Sequence, residues 1–207
     1  IANRIECLRE KMISLGLDGY IIPSSDPHMS EYVAPRWEGR KWASGFTGSA
    51  GTLVITRKES GLWTDGRYHI QAENQLQGSG ILLFKAGLDG VLDYPDWLAD
   101  SLDRGSVVGL FGQLFSVSSI KRLKQKLAKK GIKLSMEYDL LEGVWEDRPD
   151  IPLSPLYIHD ITYAGKSIAE KVNEIRQEMQ RRGANYYLIP SLDDVAWLFN
   201  VRGSDVE

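Results

Sequence analysis

The chain has 207 residues, 43% of them hydrophobic and 26% charged, a balance that supports a packed core and excludes a disordered chain. A net charge of −3 gives no reason to expect nucleic acid or an anionic membrane as partner, and no apolar run approaches the ~20 residues of a membrane span. The lone Cys7 forms no internal disulfide, which fits a reducing, cytoplasmic compartment.

The N-terminal segment is charged and amphipathic, so it does not read as a secretory signal. Because the chain opens on Ile1, it is expected to begin slightly inside its gene product. Apolar Ile5, Leu8, Met12 and Leu15 recur at three- and four-residue spacing, which predicts a helix from about Asn3 to Leu15. Gly16 ends it, and Gly19-Tyr-Ile-Ile22 reads as a buried strand stopped by Pro23. Thr52–Thr56 is a strand, and Gly61–Trp63 returns as its hairpin partner. Thr64-Asp65-Gly66 is a turn that can also cap a helix beginning near Arg67. Ile81–Phe84 is a strand, Asp96–Leu102 a helix, Val107–Leu110 a strand and Ser118–Lys130 a helix. Gly131–Ser135 closes this region as an edge-like strand. The alternation predicts an α/β fold with a mixed sheet covered on both faces by helices.

The opening pattern is written a second time. A single shift lays Ile5 on Val172, Leu8 on Ile175, Arg9 on Arg176, Met12 on Met179 and Gly16 on Gly183. The same shift lays Tyr20 on Tyr187, Pro23 on Pro190, Ser24 on Ser191 and Asp26 on Asp193. Tyr186–Ile189 is therefore expected to repeat the strand of Gly19–Ile22. Gly203-Ser204 answers Gly48-Ser49 at a shorter shift, so the second copy is expected to stop at Glu207, before its next strand. The prolines at 149, 152 and 155 mark a stiff, extended connection. The expected organisation is a first domain over 1–148, a Pro-rich linker over 149–160 and the truncated start of a related domain over 161–207.

Residues with chemical potential are few. His28, His69 and His159 are far apart and match no metal-ligand spacing, so each reads as a surface or hydrogen-bonding histidine. Cys7 lies beside the first helix's apolar stripe and reads as packing. Gly45-Phe-Thr-Gly48-Ser-Ala-Gly51 lacks the lysine and following helix of a phosphate loop, and it lacks GxSxG. It reads as a tight turn where backbone approaches backbone. Arg67 offers a guanidinium fork to a carboxylate or carbonyl. Its partner is either local, Asp65 or Glu73, or a ligand. Asp193 and Asp194 suit a helix N-terminus and need no catalytic explanation.

Taken together, several segments resemble the cytosolic type of Xaa-Pro aminopeptidase (aminopeptidase P). They are Tyr20-Ile-Ile-Pro-Ser-Ser-Asp-Pro-His28-Met-Ser-Glu-Tyr32-Val-Ala-Pro35, Gly45–Gly51, Trp63-Thr-Asp-Gly-Arg-Tyr68, Trp145-Glu-Asp-Arg-Pro149 and Asp193–Val206. The resemblance implies two creatinase/prolidase N-terminal-type domains, followed in the intact protein by a pita-bread catalytic domain that this chain lacks. It implies a metal-dependent hydrolase that removes the N-terminal residue from peptides with proline second. Two divalent ions, usually manganese, would be bound by that later domain. It also implies a homodimer in the cytoplasm, and a substrate contact at Arg67. No catalytic residue and no metal ligand of the family falls within these 207 residues, so the chain by itself is expected to be inactive and to contribute site shape and assembly. The competing reading is a non-catalytic peptide- or protein-binding module on the same scaffold. A third, a creatinase-like enzyme acting on a non-peptide C–N bond, is disfavoured by the resemblance of the Gly45–Gly51 and Trp63–Tyr68 segments.

Overall fold

In a computed structural model, residues 1–205 are described; the last two residues of the predicted second domain, the first of which also ends the Asp193–Val206 motif, lie outside them. Contacts divide the chain into two compact units, one over Ile1–Ile151 and one from Pro152 onward.

The first unit is built on six strands: β1 (Gly19–Pro23), β2 (Thr52–Thr56), β3 (Ser60–Thr64), β4 (Leu82–Lys85), β5 (Val107–Leu110) and β6 (Lys133–Ser135). Their order across the sheet is β4-β3-β2-β1-β5-β6. β1–β2 and β2–β3 are antiparallel, whereas β3–β4, β1–β5 and β5–β6 are parallel, so the sheet is mixed as expected. Five helices cover it: α1 (Ala2–Ser14), α2 (Gly39–Ser44), α3 (His69–Leu76), α4 (Tyr94–Ser101) and α5 (Val117–Ala128).

Successive strand residues point to opposite faces, and the sequence fills both with apolar side chains. Tyr20, Ile22, Leu53, Ile55 and Leu62 join Ile5, Leu8 and Met12 of α1 and Ala72 and Leu76 of α3 in one core. Ile21, Val54, Trp63, Val108 and Leu110 join Trp97 and Leu98 of α4 and Leu123 and Leu127 of α5 in the other. The Tyr20 phenol donates to the Tyr138 carbonyl (2.5 Å) and accepts from the Leu140 amide (3.1 Å), and burial raises its pKa.

Three local expectations are corrected. α3 begins at His69, not near Arg67, and Asp65 does not cap it: its carboxylate is turned onto Arg67. α4 begins at Tyr94, because Pro95 fits the first turn of a helix. The last strand starts at Lys133, after Gly131 (φ +72) has reversed the chain.

The segment Trp145–Pro149 is structural within this unit. Trp145 stacks on Trp42 with ring centroids 5.3 Å apart, and Arg148 lies over both Trp37 (5.5 Å) and Trp145 (5.9 Å). Arg148 Nη1 also donates to Asp139 (2.7 Å), with only 5% of its side chain exposed.

In the second unit, β7 (Tyr157–Ile158) and β8 (Val201–Arg202) form a two-stranded antiparallel ribbon beside α6 (Ile161–Ala164), α7 (Ile168–Arg181) and α8 (Leu192–Phe199). Ser167 and Glu170 form a reciprocal capping box at the start of α7, and the Ser191 hydroxyl caps α8 ahead of Asp193 and Asp194. Lys171 is 2% exposed; its ammonium donates to the Trp197 carbonyl (2.7 Å) and Asn200 Oδ1 (2.5 Å). The expected strand over Tyr186–Ile189 is not formed. In the first copy, β1 is a strand because β2 and β5 flank it; among the described residues of this unit nothing pairs with 186–189, and Tyr186 is 94% exposed.

Candidate functional site

The residues singled out in the first unit converge on the glycine-rich turn after α2. Gly45 (φ +74) ends that helix in the left-handed conformation open to glycine. At Gly48 a Cβ would lie 2.3 Å from Phe46 Cζ and 2.8 Å from Tyr68 Cδ1, so the close approach expected for this turn is to side chains there. At Gly51 it would lie 3.0 Å from the Trp63 carbonyl oxygen, a true approach of backbone to backbone.

The turn is held from beneath by Arg40, a residue the sequence reading passed over. It is 5% exposed, and its guanidinium donates to Ser24 Oγ (2.9 Å), the Phe46 carbonyl (2.6 Å) and the Gly48 carbonyl. Ser24 in turn donates to the Gly51 carbonyl (2.8 Å). Burial lowers the Arg40 pKa to about 10, below the ordinary guanidinium value. A faint signal exists in the sequence: Arg40 stands on the short helix that ends at Gly45, one turn from the carbonyls it would need to reach.

The second motif meets the first through Tyr68. Its hydroxyl is 2.6 Å from Ser49 Oγ, its ring makes an edge contact with Phe46 (6.1 Å), and Thr64 Oγ1 donates to the Ala50 carbonyl (2.7 Å). The hydrogen bond with Ser49 lowers the Tyr68 pKa. Arg67 lies at this junction with 68% of its side chain exposed. Its Nε donates to Asp65 Oδ1 (2.9 Å) and its Nη2 to Oδ2 (2.8 Å), a bidentate pair. Hydrogen bonding from Arg67 holds the Asp65 carboxyl at about 2. Of the two local partners considered for Arg67, Asp65 is the one engaged; Glu73 pairs with Lys85 instead (2.5 Å). Arg67 Nη1 has no hydrogen-bond partner among the described residues and is the donor left for anything that approaches.

The remaining candidates stay apart. His28 donates its backbone amide to Asp26 (2.9 Å), and the His159 ring lies near Tyr163 in the second unit. Among the described residues no three His, Cys, Asp or Glu side chains come together as a metal site.

With this geometry in view, comparison with known proteins places the chain. Residues 4–139 match the Creatinase/Prolidase N-terminal domain family, and residues 147–207 match a second family of the same description. The chain belongs to the creatinase/prolidase N-terminal domain family. Its relatives along the whole chain are Xaa-Pro aminopeptidases of the P type. Aminopeptidase P2 of Arabidopsis thaliana is 45% identical over 93% of this chain and 27% of its own length. The protein of Talaromyces stipitatus named Probable Xaa-Pro aminopeptidase P is 42% identical over 99% of this chain and 31% of its own length. The X-prolyl aminopeptidase of Caenorhabditis elegans, described as a cytosolic enzyme with a di-nuclear active site, superposes with a TM-score of 0.84. It is 33% identical, over 99% of this chain and 35% of that one. The N-terminal domain of PepQ from Mycobacterium tuberculosis, at 22% identity and a TM-score of 0.51, shares the fold. The chain thus spans about a third of the length of the relatives it matches.

Proposed function

We propose that this chain is the N-terminal, non-catalytic region of a metal-dependent Xaa-Pro aminopeptidase, a cytoplasmic homodimer that releases the N-terminal residue from peptides with proline second. The observation that carries the reading is full-length similarity, in order, to proteins bearing that name. The donor set here does not fit two divalent ions, since no cluster of ligand side chains forms among the described residues. The reading therefore assigns the ions, manganese by the family resemblance, and the hydrolytic step to the rest of the polypeptide. This chain's part is to shape the substrate side. Asp65 holds Arg67 by one edge of its fork, which removes rotamer freedom and leaves Nη1 to donate to a peptide carbonyl or carboxylate. Tyr68 and Ser49 tie that arginine to the glycine turn, so the two motifs move as one body.

The test uses the full-length polypeptide and the 207-residue chain side by side on an Xaa-Pro peptide and its Xaa-Ala counterpart, with manganese. The full-length protein is expected to cleave the proline peptide selectively, and the shorter chain to cleave neither. Turnover by the 207-residue chain, or metal-independent peptide binding without cleavage by the full-length protein, would overturn the reading.

A further inference from the structure

Arg40 is a buried cation with no carboxylate in hydrogen-bond contact among the described residues. Its three hydrogen bonds end on neutral acceptors, a hydroxyl and two carbonyls. Glu38, two residues away, is committed to Lys41, which donates to both of its oxygens (3.0 and 2.8 Å). No carboxylate pairs with Arg40 among the described residues. Removing a charge from water without a partner of opposite sign is costly, and its field is poorly screened by the surrounding protein.

A cleft of about 280 Å³ opens against this cation. Arg40, Ser24 and Ser49 contribute polar groups to it, Trp37 and Tyr32 contribute aromatic walls, and Glu31 lines it as well. Glu31 is exposed, and its side chain makes no hydrogen bond among the described residues. The volume suits a ligand of amino-acid size. The charges select its chemistry: Glu38 and Lys41 line the cleft as a neutralised pair, the Arg40 guanidinium attracts one negative charge, and Glu31 opposes a second.

We propose that this cleft binds a small, singly charged carboxylate, that of a free amino acid or of a short peptide's C-terminus, with Arg40 as its charge partner. A guanidinium held rigid by neutral acceptors is preorganised for such a group, because it gives up no ion pair to accept it. A free amino acid can in addition turn its ammonium toward Glu31. The inference rests on the first unit alone and stands whether or not the aminopeptidase reading does.

Calorimetric titration of the 207-residue chain tests it, with N-acetylglycine, N-acetylglycinamide, glycine and inorganic phosphate as probes. N-acetylglycine is expected to bind saturably and its amide about tenfold more weakly or not at all, since the charge-assisted bond is lost. Tighter binding of glycine than of N-acetylglycine identifies the free amino acid as the ligand; the reverse identifies the peptide C-terminus. Arg40→Lys keeps the charge but loses the fork and is expected to weaken binding by about tenfold. Glu31→Gln is expected to tighten N-acetylglycine by roughly two- to threefold by removing a like charge, and to weaken glycine by removing the partner of its ammonium. Equal binding of acid and amide, tighter binding of phosphate than of any carboxylate, or no saturable binding would each overturn the proposal. If Arg40→Lys does not fold, Glu31→Gln decides alone: an affinity unchanged by it rules the cleft out.

Discussion

At the scale of single residues, the two arginines of the site behave oppositely. Arg67 is exposed and fully paired on one edge; Arg40 is buried and has no carboxylate. On the substrate role we propose for it, Arg67→Ala in the full-length protein is expected to lower kcat/KM on an Xaa-Pro peptide on the order of tenfold, the loss of one charge-assisted contact. The thermal transition should not move, because the pair it breaks is open to solvent. Unchanged kinetics would make Arg67 a local partner of Asp65 and nothing more. The pair also has a defined pH window. The Asp65 carboxyl is depressed to about 2, so the interaction is complete above the ordinary carboxylate value of 3.8 and is lost only as pH falls through about 2. A carboxyl carbon titration by NMR that places Asp65 near its ordinary value would refute this clamp. The Asp65 partner of Arg67 was legible in the sequence, as one of two local options, because it lies two positions away. Arg40 was not, because its acceptors come together only when the glycine turn folds back across α2.

At the scale of elements, local signals served well wherever the partner also lay nearby. The hairpin β2–β3, the amphipathic stripe of α1 and the placing of Asp193 and Asp194 in the first turn of α8 all formed as read. Ser116 is the N-cap of α5 and accepts from the Ser119 amide at 3.2 Å. Replacing it with alanine should cost about 1 kcal/mol, measurable as a shift in denaturant midpoint at constant slope. Within the glycine turn, Gly48→Ala forces a Cβ into Phe46 and Tyr68 and should cost about 1–3 kcal/mol. A neutral Gly48→Ala would mean that the turn can yield. Residues 186–189 show the limit of local reading. Their sequence repeats that of β1, yet a strand is a relation between segments, and no described residue of their unit takes the neighbouring place.

At the scale of the whole molecule, the two units differ in how much apolar surface they bury. The first carries two full cores, one on each face of its sheet. In the second, Leu198 is the lone hydrophobic residue classed as buried among those described, while Leu153, Ile158, Tyr186 and Leu188 are all more than 80% exposed. Native-state hydrogen exchange on the 207-residue chain should therefore find the slowest amides in β1, β2 and β5 and near-intrinsic exchange over 185–189. Protection over 185–189 equal to that of β1 would contradict this. The duplication was readable along the chain because it is written in side-chain identity. The inequality between its copies was not, since burial depends on which strands stand alongside.

The Trp42–Trp145 stack has a spectroscopic consequence. Two indoles 5.3 Å apart and inclined by 16° are coupled chromophores, so the intense indole band at the red edge of the far-ultraviolet should carry a signed circular-dichroism couplet that neither ring gives alone. One ring belongs to α2, which leads into the glycine turn, and the other to the closing segment of the first unit. The couplet is thus an intrinsic gauge of whether that closing segment is docked. It can be read without a label, and Trp145→Phe should abolish it while the shorter-wavelength peptide bands stay the same.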